Sequence, residues 1–98
     1  MMKDKKFLIV GLGLLGGSIA LGLKKWDHEI YAIDIDPNAI AYGLEHHIID
    51  EGSVTNDPKL IQKADVIISG LYPTTFINWI SDYQYLFNPH TLITDVTG

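Results

Sequence analysis

The stretch from Lys6 to Ser18 reads Lys-Phe-Leu-Ile-Val-Gly-Leu-Gly-Leu-Leu-Gly-Gly-Ser. It restricts the fold more than any other part of the chain. The run Phe7–Val10 is apolar without alternation, which suits a strand covered on both faces at the centre of a parallel sheet. It leads directly into Gly-x-Gly-x-x-Gly, and a segment with Leu15, Ile19 and Leu23 spaced by four follows. Strand, tight glycine turn and amphipathic helix form the opening of a dinucleotide-binding βαβ unit. In such a unit Gly11 allows the turn, Gly13 lets the backbone approach a pyrophosphate, and Gly16 lets the helix pack closely on the sheet. The helix is expected to open near Leu14, with its free N–H groups and positive dipole end directed at the phosphates. Gly11, Leu12, Gly13, Leu14, Leu15 and Gly16 are therefore candidate contacts to the cofactor.

Two other readings compete for the same stretch. Lys3, Lys5 and Lys6 precede 17 uncharged residues, Phe7 to Leu23, and Ser18-Ile19-Ala20 resembles a signal-peptide cleavage site. A membrane span is the other, but five of those residues are glycine and the run is short against the ~20 apolar residues a span needs. The rest of the chain decides. Ninety-eight residues make one domain with a real core, burying roughly 65% of the unfolded surface. A net charge of −5 leaves no basic face for nucleic acid. There is no cysteine, hence no disulfide framework or thiolate metal site, which fits a cytoplasmic protein. There is no arginine either.

Downstream, strands and helices alternate. Glu29–Asp34 reads as a second strand ending in a carboxylate 18 residues after Gly16. Asp36-Pro37 supplies an N-cap and first position for a second helix, which ends at His46 and His47. That pair suits a helix C-terminus better than a metal site, because no third ligand lies at a recognisable spacing. Ile48–Gly52 is expected to be a short edge strand, and Asn56-Asp57-Pro58 to cap a short helix through Lys63. Asp65–Gly70 is expected to be the fourth strand, Leu71–Thr75 a loop, and Thr75–Leu86 a helix. Phe76, Ile77, Ile80, Tyr83 and Leu86 would then face the core. Thr91–Val96 is the fifth strand.

This alternation predicts an α/β fold, a Rossmann-type doubly wound parallel sheet of order 3-2-1-4-5 in three α/β/α layers. Ligands of such sheets bind at the carboxyl ends of the strands beside the switch point. Asp34 and Ile35 after the second strand, and Leu71, Tyr72 and Pro73 after the fourth, join the glycine loop as candidate cofactor contacts. Asp34 would accept the adenosine ribose hydroxyls. A 2′-phosphate there would face a carboxylate and find no arginine, so NAD is expected over NADP. Pro73 either shapes a loop lying flat beneath the nicotinamide ribose or only ends the strand. A signal-peptide cut would remove the central strand, so the membrane and secretion readings are set aside. No catalytic constellation and no metal site are expected. His90 precedes the fifth strand, at the end away from the crevice.

Several of these stretches together resemble the prephenate dehydrogenase family. They are Gly11–Ser18, Ile33-Asp34-Ile35-Asp36-Pro37, His47-Ile48-Ile49-Asp50-Glu51-Gly52, Ala64–Ile68 through Pro73, and Leu92–Val96. The resemblance implies that residues 1–98 are the NAD-binding domain, as a fragment without the substrate and dimerisation domain. It implies an NAD-dependent enzyme of tyrosine biosynthesis that decarboxylates prephenate oxidatively to 4-hydroxyphenylpyruvate. The family's catalytic histidine lies beyond the fifth strand, and its substrate-binding arginines lie in a second domain. The fragment is thus expected to bind NAD without turnover, with prephenate a partner only of the full-length enzyme. The family usually carries Asp-x-Gly-Ser after this strand, where this chain has Asp95-Val96-Thr97-Gly98, leaving Thr97 to supply a hydroxyl. Apolar surface left open in the fragment makes self-association, as a homodimer, the expected state. The alternatives are a nucleotide-sensing domain of the potassium-transport type, an arogenate dehydrogenase, or another NAD-dependent dehydrogenase.

Overall fold

The computed structural model describes residues 5–25 and 28–95; of Gly13, Leu14, Leu15, Gly16, Ser18 and Asp95 it describes the backbone alone. Five strands, β1 (Lys6–Val10), β2 (Glu29–Ile33), β3 (Glu51–Ser53), β4 (Val66–Ser69) and β5 (Leu92–Asp95), form one sheet of order β3-β2-β1-β4-β5. All four pairings are parallel, with Val10 opposite both Ile33 and Ser69. The helices are α1 (Gly13–Lys24), α2 (Pro37–Glu45), α3 (Pro58–Lys63) and α4 (Pro73–Tyr83), and a 3-10 turn (Gln84–Leu86) follows α4. This is the Rossmann-type doubly wound sheet that the alternation of elements predicts.

The two faces of the central strands feed two cores, as a two-residue side-chain period requires. Phe7, Ile9, Ile30, Ala32 and Ile68 pack with Ala20 of α1 and Ile40 of α2. Leu8, Val10, Tyr31, Ile33 and Ile67 pack with Leu60 and Ile61 of α3 and Phe76 and Trp79 of α4. The Tyr31 hydroxyl donates to the Glu29 carboxylate. Burial, and next that bond, hold its phenol above the ordinary tyrosine value, so Tyr31 remains a neutral donor.

Three expectations need correction. β3 begins at Glu51 rather than Ile48, because Ile48 and Ile49 turn into the core ahead of the strand. Helix α4 begins at Pro73 rather than Thr75. Proline fits the first helical position, where its missing N–H would have no partner in any case. β4 ends at Ser69, four residues earlier, so Pro73 opens a helix rather than closing a strand. On α4 Phe76 faces the core as expected and Trp79 joins it, whereas Ile77 is exposed. His47 takes a positive φ of 56°. His46 is stacked on Tyr42, its Nδ1 3.0 Å from the Tyr42 carbonyl oxygen. No helix among the described residues is long and apolar enough to cross a membrane.

Candidate nucleotide site

The site is built where β1 gives way to α1. Gly11 has φ +82°, a left-handed conformation costly for any residue with a Cβ, and its N–H donates to the Ile33 carbonyl at 2.8 Å. This turn brings the N-terminus of α1 to the carboxyl edge of the sheet. The backbone of Gly13, Leu14, Leu15 and Gly16 forms the first turn of α1; the surroundings of Gly13 and Gly16 lie outside what is described. Val96, Thr97 and Gly98 also lie outside the described residues, so the hydroxyl expected of Thr97 is not placed.

Asp34 follows β2, and its carboxylate is held from both sides. Oδ2 accepts the Leu12 N–H at 2.9 Å, and Oδ1 accepts the Asp36 N–H at 2.9 Å. Asp36 in turn caps α2, accepting the Asn38 N–H at 2.9 Å. Leu12 contributes only backbone here, since its side chain is buried in the core on the α1–α2 face.

The third wall comes from the end of β4. The Gly70 N–H donates to the Val10 carbonyl at 2.8 Å, and a Cβ on Gly70 would run into the Gly11 carbonyl oxygen. Two backbone turns therefore touch, and only glycine fits. Ser69, fully buried, accepts the Leu71 N–H on its Oγ at 2.9 Å and sets the direction of the chain beyond the strand.

Between these walls lies a crevice of about 250 Å³. Of the residues singled out from the sequence, Gly11, Asp34, Ile35 and Leu71 line it. Tyr72 does not; it precedes α4 with an exposed side chain, and Pro73 is the first helical residue. The crevice also draws on Asn56, Thr75 and Trp79, which the sequence reading did not assign to the site. Its lining is mostly apolar and includes Asp34. Pockets for drug-sized ligands run to about 300–1,000 Å³, so this volume suits one heterocycle and sugar rather than a whole dinucleotide. His90 lies elsewhere, beyond the amino end of β5, its Nε2 3.8 Å from Asp65 Oδ1. Among the described residues no group of three histidine, cysteine or acidic side chains is placed to hold a metal ion.

No family model matches the chain. Over 67 residues it is 39% identical to prephenate dehydrogenase of Lactococcus lactis subsp. cremoris (strain MG1363), a match covering 65% of this chain and 18% of that protein. Over 59 residues it is 37% identical to the Ktr system potassium uptake protein A of Bacillus subtilis (strain 168), covering 57% of this chain and 27% of that protein. Among solved structures, arogenate dehydrogenase of Synechocystis superposes with a TM-score of 0.82 at 25% identity, covering 93% of this chain and 32% of that one. Prephenate dehydrogenase of A. aeolicus, solved in complex with hydroxyphenyl propionate and NAD+, superposes with a TM-score of 0.81 at 29% identity, with the same coverage. The chain thus resembles prephenate and arogenate dehydrogenases over nearly all of its own length, and spans about a third or less of theirs.

Proposed function

We propose that the chain is the amino-terminal NAD-binding domain of a prephenate dehydrogenase, with NAD lying across the carboxyl edge of β1, β2 and β4. The observation that carries this reading is the Asp34 carboxylate, fixed by two backbone N–H groups on a residue that lines a mostly apolar crevice. A carboxylate accepts about four hydrogen bonds, so backbone anchorage and bonds from ribose hydroxyls are compatible. The adenine would enter the crevice beside Ile35 and Leu71. The pyrophosphate would lie at the N-terminus of α1 against Gly13, Leu14, Leu15 and Gly16, where free N–H groups favour an anion. The Leu71–Tyr72–Pro73 segment would lie beside the nicotinamide-side ribose. A 2′-phosphate would meet the Asp34 charge with no arginine in the sequence to offset it.

The reaction belongs to the longer protein. There NAD would accept the hydride from prephenate, carbon dioxide would leave, and 4-hydroxyphenylpyruvate would form; arogenate is the alternative substrate. The proton-accepting histidine and the carboxylate-binding arginines would lie outside these 98 residues. A homodimeric, cytoplasmic enzyme completes the reading.

A second reading is favoured by the 37% identity to the potassium uptake protein: a nucleotide-sensing regulatory domain. Calorimetry on the folded chain separates the possibilities. We expect saturable NAD binding, with NADP at least about tenfold weaker, or ~1.4 kcal/mol, and no turnover of prephenate. Absence of NAD binding by a folded sample overturns the proposal. Strong discrimination between NADH and NAD favours the sensing domain instead.

A further inference from the structure

One wall of the crevice is held by a contact that neither the fold nor the proposed NAD site requires. Trp79, on α4, is buried, and its ring lines the crevice. A buried indole N–H needs an acceptor. It donates to Asn56 Oδ1 at 2.8 Å, and the Asn56 Nδ2 donates onward to the Tyr83 hydroxyl at 3.1 Å. Asn56 belongs to the segment between β3 and α3, 23 residues from Trp79, and itself lines the crevice. A single amide thus ties two elements across the floor of the site.

The aromatic neighbours of Trp79 leave its tilt to this bond. Phe76, Tyr83 and Phe87 lie with ring centroids 6.0, 5.5 and 5.8 Å from it. Those contacts are tolerant of rotation, whereas the Asn56 bond is directional. The asparagine uses both ends of its amide, accepting from one aromatic residue and donating to another. Those two bonds fix which way the amide faces as well.

We propose that Asn56 is a positioning residue for the purine subsite. By holding the indole of Trp79, it sets the shape of the apolar wall against which an adenine ring lies. The inference rests on the NAD reading above and adds to it a residue that acts through another. Asn56 need not touch the cofactor; its effect passes through the orientation of Trp79.

The experiment has two arms. In the first, Trp26→Phe leaves Trp79 as the sole tryptophan, and its emission is followed during titration with ADP-ribose, which carries the adenosine half without nicotinamide. Binding is measured on the same sample by calorimetry. A saturable change in emission that tracks the calorimetric isotherm is expected. In the second, Asn56→Ala, Trp79→Phe and the double variant are compared by calorimetry. Asn56→Ala should weaken ADP-ribose binding about tenfold, since the indole loses the directional bond that sets its tilt. In the Trp79→Phe background, where the indole is gone, the same change should have little further effect. An Asn56 that acted on the ligand by itself, independently of Trp79, would make the two losses of affinity add.

Binding by calorimetry with silent Trp79 emission overturns the proposal, as does full additivity in the cycle. If Asn56→Ala does not fold, Asn56→Asp decides: it keeps the Oδ1 acceptor of the indole and should retain ADP-ribose binding, and a loss of about tenfold there overturns the proposal. If the unmutated protein binds neither ADP-ribose nor NAD, the NAD reading itself has failed, and this inference falls with it.

Discussion

At Gly70 the constraint comes from a neighbouring backbone rather than from a turn. Its φ is not positive, yet a Cβ would collide with the Gly11 carbonyl oxygen, whose peptide is anchored through the Leu12 N–H on Asp34. At Gly11 the constraint is conformational, and the nearest side chain, Leu71 Cδ2 at 2.8 Å from a built Cβ, is a flexible one. The role of Gly11 was legible, because a strand running into Gly-x-Gly names the turn. That of Gly70 was not, because Gly70 meets Gly11 only after β4 has paired with β1. Gly70→Ala should therefore destabilise the domain by about 1–3 kcal/mol, lowering Tm by roughly 4–8 °C for each kcal/mol. Thermal denaturation followed by circular dichroism checks it; an unchanged Tm would mean the two turns separate at little cost. Gly22, where an added Cβ meets nothing within 4 Å, serves as the control, and alanine there should stabilise slightly by helix propensity.

Two aspartates do for the strands what no periodicity announces. The Asp50 N–H donates to the Ile30 carbonyl at 2.7 Å, and its Oδ2 accepts the Ile30 N–H at 2.8 Å. Asp65 does the same with Lys6, at 2.8 and 2.9 Å. Each side chain completes a backbone ladder at the amino end of a strand, where the neighbouring chain has already turned away. This explains the displaced start of β3. Ile48 and Ile49 read as a strand by composition, but they plug the core while Asp50 pairs with β2 ahead of β3. Helices α2 and α3 were legible from Asp-Pro pairs that cap and start them. Trp79 was not among the inward residues expected of α4, and it is core on one side and crevice wall on the other. Thr75 stands one turn before Trp79 on α4, but Asn56 reaches the crevice from the segment between β3 and α3, which no local pattern on the helix announces.

Asp50 also carries a pH dependence. Burial raises its carboxyl pKa, but the Lys24 ammonium, with Nζ 2.7 Å from Oδ1, and the Ile30 N–H outweigh that, and the net shift is downward. A folded value below the unfolded one adds stability that is fully present above the ordinary carboxylate range of about 4. It is lost as pH falls through the depressed folded value. Asp50→Asn removes the charge while keeping an acceptor for Ile30. Urea midpoints should place the variant below the parent at pH 7 by about 1 kcal/mol or less, since the pair is partly exposed. The two curves should converge in acid. A gap that persists unchanged at pH 3 would show that charge is not its source.

Across the whole molecule the two faces of the sheet are unequally covered. Register places Leu92 beside Val66 and Ile93 beside Ile67, so neighbours on β4 and β5 share faces. Val66 packs against the core on the α1–α2 side, yet Leu92 on that side is 66% exposed, and Ile93 on the other is 38% exposed. β5 is an edge strand whose single charged residue is Asp95 at its carboxyl end, and it has neither the lysine nor the proline by which edges are commonly protected. Apolar side chains and unpaired backbone at one edge favour association with a second copy. Sedimentation equilibrium should show an average mass that rises with concentration. Leu92→Lys should reverse it, because a side chain this exposed can carry a charge with little loss of stability. NAD binding should be unchanged in that variant, since Leu92 lies at the amino end of β5 and the crevice opens at the carboxyl ends of β1, β2 and β4. A parent chain that stays monomeric at millimolar concentration would show that this edge is sufficiently covered as it stands.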